Sequence, residues 1–337
     1  MASVGIIANP ASGKDIRRLV SKAWVISNQK KVNIVCSVLV GLHSTGIKKV
    51  YVMPDHFGIG SQAVQSLRGQ IPELSSRVEL LDLELSDSAF DSINAAEKMN
   101  ELGINCLIVL GGDGTIRAAS KGCGDVPLVP LSTGTNNVIP VFIEGVTAGL
   151  CAGYVASVDE TQISDLCSRS KRLEVWVNDE LVDISLVDIS VIAGNFTGAR
   201  AVWEASAVRQ IAVTQASPTS IGLSAVVGMV WPISDEDEYG GLARITAGNN
   251  HSKLVSVPIG PSLVETIGGA DFKKMELGVS YPIVDERPLV LALDGERELV
   301  LNAGDSACLV LKRNGPLVVN IERAMLQAAS TGFFVSS

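Results

Sequence analysis

The sequence has few of the residues on which metal centres and nucleophilic triads depend. Its three histidines, His43, His56 and His251, are isolated from one another. Its six cysteines form no CxxC pair, and several lie inside apolar runs, which is typical of buried free thiols. We therefore expect neither a zinc centre, nor a histidine-based triad, nor a framework of disulfides.

Long uninterrupted apolar runs are also missing. Hydrophobic residues make up 47% of the chain and charged residues only 19%, a balance that favours a folded chain over a disordered one. However, residues 221–233 are too few to cross a bilayer, and residues 138–156 are interrupted by Pro140 and Glu144. Residues 4–8 are too few for a signal-peptide core. We expect a cytoplasmic protein with no integral membrane insertion.

Positive charge is scarce, and the net charge is -9. This balance argues against a nucleic-acid polymer as the partner. A small anionic ligand stays compatible with it, because backbone amides can bind phosphate without net positive charge. Apolar runs in the second half of the chain, such as residues 221–230, leave room for a subunit interface, and we expect a homo-oligomer.

The length of 337 residues favours two domains over one. In residues 1–156, short β-rich runs alternate with helical patterns, which predicts a doubly wound α/β domain with a mostly parallel sheet. The predicted strands are residues 4–8, 49–53, 78–83, 105–110 and 127–130. The predicted helices are residues 15–25, 29–43, 61–68, 88–102 and 116–121, and residues 138–156 predict a further helix or helix pair.

Residues 157–320 have a different pattern. Residues 157–172 are polar and predict a connection, and from residue 173 onward apolar and polar residues alternate, which predicts a mainly antiparallel β-sandwich. The predicted strands are residues 173–177, 181–192, 208–213, 242–247, 253–258, 289–293, 298–301 and 307–311. Residues 321–329 predict a helix, within a C-terminal segment 321–337 that we expect to pack back on the first domain.

Residues 111–115, Gly-Gly-Asp-Gly-Thr, lie between a buried strand and a predicted helix. Glycines let the backbone approach a polyphosphate closely, and a helix N-terminus favours an anion. A carboxylate at this place is costly unless it binds a magnesium ion or takes the proton of an attacking hydroxyl, so Asp113 is a candidate catalytic base and metal ligand. The alternative is an ordinary Asp-Gly turn. The candidate nucleotide-binding residues of this loop are Gly111, Gly112, Gly114 and Thr115.

Two more loops follow neighbouring predicted strands. Residues 131–137 are rich in hydroxyl and amide groups, and adjacent strands of a doubly wound sheet deliver their loops to one crevice; the alternative is a helix cap without a ligand. Residues 9–15 lack the P-loop spacing, because no glycine stands five residues before Gly13 and Lys14 is followed by Asp15, but their amides can still bind a phosphate tail. The candidate nucleotide-binding residues here are Asn9, Ser12, Gly13, Lys14, Thr133, Gly134, Thr135, Asn136 and Asn137.

The three loops together resemble those of the NAD kinase, diacylglycerol kinase and sphingosine kinase superfamily, whose members carry an N-P-x-(S/A)-G loop and a G-G-D-G-T loop. Within it the sequence looks most like the ATP-NAD kinase and AcoX group. The resemblance covers about the first 140 residues. It implies a Rossmann-like N-terminal domain, a β-sandwich C-terminal domain, and magnesium-dependent phosphoryl transfer from ATP to a hydroxyl group in the cleft between them.

The second domain matches this family only in part. The Asn-Glu pair of NAD kinases corresponds to Val187 and Asp188, which keep the acid but lose the amide. The NAD kinase run P-T-G-S-T-A-Y, followed by S-A-G-G, is matched only by residues 218–220 and 224–225. In the family these positions hold the dinucleotide. The candidate acceptor-binding residues are Asp188, Thr219 and Ser224.

Residues 294–296, Asp-Gly-Glu, resemble the D-G-E element of the lipid kinase branch, where the acid lies near the transferred phosphate. The alternative is a plain hairpin turn. Asp294 and Glu296 are therefore further catalytic candidates, as the alternative or the partner of Asp113. Lys14 or Arg17 would neutralise the developing phosphoryl charge.

The leading hypothesis is a kinase that uses ATP and Mg²⁺ to phosphorylate a ribose hydroxyl of NAD(H). The second is a kinase for another hydroxyl acceptor, either a lipid or a small metabolite. The third is a nucleotide-binding sensor without catalysis. The sequence does not distinguish ATP from polyphosphate as the phosphoryl donor. A dehydrogenase is not expected, because no G-x-G-x-x-G follows the first strand.

Overall fold

The computed structural model describes residues 2–12, 26–134, 137–194, 207–245, 254–260, 262–268, 270–283 and 288–335. Of residue 75 and residues 296–298 it describes the backbone alone. Several predictions lie outside the described residues: the helix 15–25 and the candidate residues Gly13, Lys14, Arg17, Thr135 and Asn136.

A seven-stranded, mostly parallel sheet forms the first part of the protein. Its strands are β1 Ser3–Ala8, β2 Lys49–Val52, β3 Val78–Leu80, β4 Cys106–Gly111, β5 Leu128–Ser132, β6 Cys167–Arg169 and, near the end of the chain, β19 Leu317–Val319. The helices of this part are α1 Asn28–Ser44, α2 Ile59–Leu67, α3 Leu74–Arg77, α4 Ala89–Glu101, α5 Asp113–Gly122, α6 Gly145–Val155, α7 Glu160–Leu166 and, after β19, α9 Ile321–Ser330. The strand order is β3-β2-β1-β4-β5-β19-β6, and β6 is antiparallel to β19.

Both faces of this sheet are covered by helices. On β4, Ile108 and Leu110 pack on the side of α1 and α6, whereas Leu107 and Val109 pack on the side of α4 and α5. A strand that is buried on both faces must be apolar throughout, which explains the continuous apolar runs of the sequence. The predicted doubly wound α/β architecture is confirmed.

Antiparallel sheets make up the second part. Their strands are β7 Arg172–Val177, β8 Glu180–Ser185, β9 Asp188–Ala193, β10 Val208–Val213, β11 Tyr239–Ile245, β12 Leu254–Gly260, β13 Leu263–Gly268, β14 Ala270–Glu276, β15 Ser280–Pro282, β16 Leu289–Leu293, β17 Glu296–Leu301 and β18 Ala307–Lys312, with a short helix α8 Ser224–Gly228. Sheet order is β15-β18-β7-β8 in one layer and β14-β11-β10-β9-β16-β17 in the other, and β12-β13 is a separate hairpin. One apolar cluster draws on both layers, for example Leu309 of β18 and Leu291 of β16. The predicted antiparallel β architecture is confirmed.

The structure differs from the prediction in several elements. Helices α3 and α8 and strands β13, β14, β15 and β19 are additional to the predicted ones. The helix predicted at 116–121 begins at Asp113, and the one predicted at 138–156 begins only at Gly145. The predicted connection 157–172 contains α7 and β6, and β6 extends the first sheet through β19. The run 181–192 is two strands, because Leu186 and Val187 leave the sheet and pack into the apolar cluster under α4 and α5.

The end of the chain returns to the first sheet. Ala324 and Ala328 of α9 are fully buried in the same cluster as α1 and α6. The ring of Phe333 packs edge-on against Tyr154 of α6, with ring centroids 5.0 Å apart. The apolar residues 221–230 include α8, whose Val226 and Val227 are buried within the β-rich part. In the described part of the chain, no helix is long and apolar enough to cross a membrane.

Candidate functional site

The loops that follow β1, β4 and β5 meet at one edge of the parallel sheet. The strand register places Ala8 beside Leu110 and Gly111 beside Ser132, so the three strands end at the same level. The backbone N–H of Thr133 donates to Gly111 O at 3.2 Å. The three loops therefore lie side by side at the carboxyl ends of adjacent strands, where the sequence predicts a crevice.

Side chains lock these loops to one another. Asn9 Nδ2 donates to Thr115 Oγ1 at 3.0 Å, which joins the first loop to the second. Thr133 Oγ1 donates to Ser12 Oγ at 2.9 Å, which joins the third loop to the first. A Cβ atom at Gly111 would lie 2.4 Å from the Cβ of Thr115, so only glycine allows this approach. The structure thus brings together five of the predicted nucleotide-binding residues.

The side-chain amide of Asn137 also holds the third loop. Asn137 Nδ2 donates to Ser132 Oγ at 2.8 Å and to Gly134 O at 3.3 Å. A Cβ atom at Gly112 would lie 2.9 Å from Asn137 Oδ1, so this side chain also reaches the second loop. Asn137 therefore has a structural role at the place where the sequence predicts nucleotide binding.

Asp113 occupies the first turn of α5 and is 7% exposed. Its carboxylate accepts the backbone N–H of Val138 at 2.9 Å and that of Ile139 at 2.9 Å. The pKa of Asp113 is raised to about 7, mainly by burial and also by the nearby charge of Asp294, while the backbone N–H groups of Ile139 and Val138 oppose this shift. A carboxyl with such a pKa can take up a proton near neutral pH, as a general base must.

The start of α5 also offers hydrogen-bond donors. The helix begins at Asp113, with Gly112 as its N-cap residue. The first amides of a helix have no acceptor within the helix and point away from its N-terminus, where they favour an anion. The N–H of Thr115 donates to Gly112 O at 2.9 Å, which leaves the amides of Asp113 and Gly114 as the candidates for binding a phosphate here. Among the described residues, no group of three histidine, cysteine, aspartate or glutamate side chains is placed to hold a metal ion.

A buried lysine that we did not predict organises the first loop. Lys31, in the first turn of α1, is fully buried, and its Nζ donates to the backbone oxygens of Asn9, Pro10 and Ser12 at 2.8 to 2.9 Å. These bonds turn three carbonyl groups of the loop toward the helix. The sequence holds a signal for it, because Lys31 lies on the apolar face that includes Val35.

Comparisons with known proteins agree with this architecture. Residues 4–155 match the ATP-NAD kinase N-terminal domain, and residues 171–314 match the acetoin catabolism protein X C-terminal domain. Acetoin catabolism protein X of Cupriavidus necator is 36% identical to the chain over 331 residues, which is 96% of this chain and 92% of that protein. The chain belongs to the acetoin catabolism protein X family. The resemblance to the AcoX group that the loops indicate is thereby confirmed.

The solved structure of an NADH kinase supports the fold of this family member. Yeast NADH kinase, solved with NADH, superposes with a TM-score of 0.52 at 16% identity, covering 100% of this chain and 89% of that one. An NAD kinase from Archaeoglobus fulgidus, solved with ATP, has a TM-score of 0.39 at 12% identity, covering 86% of this chain and 99% of that one. The fold is NAD kinase-like, as the loops imply.

In this AcoX-family protein, Asp294 lies at the turn between β16 and β17, and its side chain is fully buried. Its Oδ1 accepts the backbone N–H groups of Leu186 and Val187 at 3.1 and 2.8 Å. The charge of Asp294 is close enough to raise the pKa of Asp113, so the structure brings these two catalytic candidates together. The side chain of Glu296 lies outside the described residues.

The acceptor-side candidates are spread over three elements. Asp188 begins β9 and is 7% exposed, Thr219 is exposed and exchanges a hydrogen bond of 2.8 Å with Ser217, and Ser224 is buried in the first turn of α8. Thr214, which we did not predict, donates to the backbone oxygen of Leu186 at 2.7 Å. Of these candidates, Asp188 belongs to the segment that Asp294 anchors, because its backbone N–H donates to Asp294 Oδ1 at 3.3 Å.

The raised pKa of Asp113 predicts a pH-dependent stability. The folded-state pKa of about 7 exceeds the ordinary pKa of an aspartate, so the folded state binds this proton more tightly than the unfolded state does. As pH rises from about 4 to 7, this one group lowers the free energy of unfolding by about 1.4 kcal/mol per unit. We expect the melting temperature of Asp113→Asn, relative to wild type, to increase from pH 5 to pH 8. A difference that stays constant over this range would contradict the assigned burial.

Proposed function

We propose that the protein is an ATP-dependent kinase that phosphorylates a hydroxyl group, with Asp113 as the general base. The observation that carries the proposal is a buried carboxyl with a pKa of about 7 at the start of α5, where the three loops meet. Membership of the NAD kinase superfamily supports phosphoryl transfer as the reaction class.

In this proposal, the triphosphate of ATP lies against the amides at the start of α5 and the hydroxyl-rich loops. An acceptor hydroxyl transfers its proton to Asp113 while its oxygen forms a bond to the γ-phosphorus. The bond between that phosphorus and the bridging oxygen breaks, and ADP leaves. Catalysis then depends on positioning and on electrostatic stabilisation by the backbone amides.

Magnesium is best treated as part of the substrate MgATP. The hydrogen bonds that the Asp113 carboxylate accepts come from the backbone N–H groups of Val138 and Ile139, and the described residues assemble no cluster of three metal-ligating side chains. Magnesium dehydrates reluctantly and is often held by one or two carboxylates and the phosphates of the substrate. The described side chains therefore do not form a cage for a resident ion.

The acceptor is NAD(H) in the leading version of the proposal. The position of Val187 favours a second version, in which another hydroxyl compound is the acceptor. Val187 is 2% exposed and lies in an apolar cluster with Ile139 and Leu81, so its side chain offers no amide to a dinucleotide. The Cupriavidus relative is named for acetoin catabolism, which makes small hydroxyl compounds candidates here.

A panel of acceptors distinguishes these versions. Purified protein would be incubated with MgATP and, separately, with NAD, NADH, diacylglycerol, acetoin and small diols, and ADP and phosphorylated product would be measured together. We expect ADP formation to depend on one acceptor and to match product formation one to one. Asp113→Asn, tested with the same panel, is the control for a contaminating kinase. Tight nucleotide binding without any acceptor-dependent ADP would support a sensor and refute the kinase.

A further inference from the structure

A buried arginine joins the two parts of the candidate site. Arg117 lies one turn after Asp113 on α5, and its side chain is 5% exposed. Its Nη1 donates to Asp183 Oδ2 at 3.3 Å, and its Nε lies 3.3 Å from Asp294 Oδ2. Asp183 belongs to β8 and Asp294 to the turn between β16 and β17. Helix α5 begins where the loops that follow β1, β4 and β5 meet, which we call the phosphate loops. One guanidinium thus ties this helix to the β-rich part.

Asp294 in turn accepts hydrogen bonds from the backbone between β8 and β9. Its Oδ1 accepts the N–H groups of Leu186, Val187 and Asp188 at 3.1, 2.8 and 3.3 Å, and the hydroxyl of Ser185 as well. The N–H of Asp294 itself donates to Asp188 O at 2.9 Å. One carboxylate therefore fixes four consecutive residues that end at Asp188, the acceptor-side acid.

We infer that Arg117 is a positioning residue that, by fixing Asp294, holds residues 185–188 in place relative to the phosphate loops. The planar guanidinium donates a hydrogen bond to Asp183 through Nη1 and forms an ion pair with Asp294 through Nε, an arrangement that a compact ammonium cannot reproduce with the same geometry. Because the group is buried, loss of Arg117 leaves the Asp294 charge without its cation. The consequence for catalysis rests on the proposed function, but the structural coupling does not.

The neighbouring lysine provides a matched control. Lys121 lies one turn further along the same face of α5 and contacts Asp183 Oδ1 at 2.6 Å, but its side chain is 30% exposed. Lys121→Met therefore removes a partly exposed cation that contacts Asp183. Arg117→Met removes a buried cation that contacts both Asp183 and Asp294.

Hydrogen exchange tests the coupling without any assay of activity. In Arg117→Met, we expect the amides of residues 186–188 to exchange about tenfold faster or more, while ATP affinity changes by less than about threefold. Arg117→Lys should exchange at an intermediate rate, and it replaces the methionine variant if that variant does not fold. Lys121→Met should match wild type. Unchanged exchange in both Arg117 variants, or a parallel loss of ATP affinity, would overturn the inference.

Kinetics separate this inference from the proposed function. If the acceptor panel identifies a substrate, Arg117→Met should raise the KM for the acceptor or lower kcat while leaving the KM for ATP near the wild-type value, and lysine should restore part of the loss. If wild type shows no acceptor-dependent turnover, the kinase proposal fails, and the exchange rates of residues 186–188 still decide the role of Arg117.

Discussion

Replacing Asp113 with asparagine should lower acceptor-dependent ADP formation by about a hundredfold or more, because an amide cannot accept the proton of the attacking hydroxyl. The variant should still fold, because the side-chain oxygen of an asparagine can accept the backbone N–H of Ile139. In wild type this N–H donates to Asp113 Oδ1 at 2.9 Å. In wild type, the rate should fall as pH drops below about 7, where the buried carboxyl becomes protonated. Steady-state kinetics from pH 5.5 to 8.5 would check both expectations.

Asp165→Asn is the matched control for this experiment. Asp165 is an exposed carboxylate on α7, so the same chemical change there should leave the rate unchanged. ATP affinity of Asp113→Asn, measured by calorimetry, should stay near that of wild type, which shows that the lost step is proton transfer. Turnover of the variant at the wild-type rate would remove Asp113 from the mechanism.

Replacing Lys31 with methionine should weaken ATP binding by about tenfold or more and lower the free energy of unfolding by roughly 2 kcal/mol or more. The methionine keeps the length of the side chain but removes the donor of three backbone hydrogen bonds, to Asn9, Pro10 and Ser12. Without them, the first loop loses the contacts that set its orientation toward the other two loops. Denaturant unfolding and calorimetric titration with ATP would measure the two effects.

Lys48→Met serves as the control for Lys31, because Lys48 is exposed between α1 and β2. We expect this variant to keep both stability and ATP affinity. The decisive comparison is between the two effects of Lys31→Met. If stability falls and ATP affinity does not, then Lys31 supports the fold alone and the first loop does not contribute to nucleotide binding.

The five parallel strands β1 to β5 of the first sheet and the loops at their ends could be predicted from the sequence. Strands such as Cys106–Gly111 are apolar on both faces, so each is visible as a short run of apolar residues. Glycines and polar residues mark where each run stops. The loop residues 111–115 therefore fall at the edge of the sheet by local pattern alone.

The roles of individual side chains in the candidate site could not be predicted in the same way. Lys31 contacts Asn9 from 22 residues away, and Leu186 contacts Asp294 from 108 residues away. The local pattern places Lys31 on an apolar helix face, but it does not show which distant group a charged side chain contacts. The D-G-E element shows this, since its sequence fits a hairpin turn and its Asp294 serves also as an anchor for another loop.

By itself, the sequence determined the two fold classes, the order of the three loops and the family they resemble, because these depend on apolar runs and on glycine at short spacing. Only the tertiary structure decided that α5 begins at Asp113, that β6 and β19 extend the first sheet, and that Arg117 joins α5 to Asp294. The physical reason is the separation along the chain of the residues that determine each property. Backbone conformation follows from neighbouring residues, whereas burial of a charge depends on which distant group the fold brings beside it.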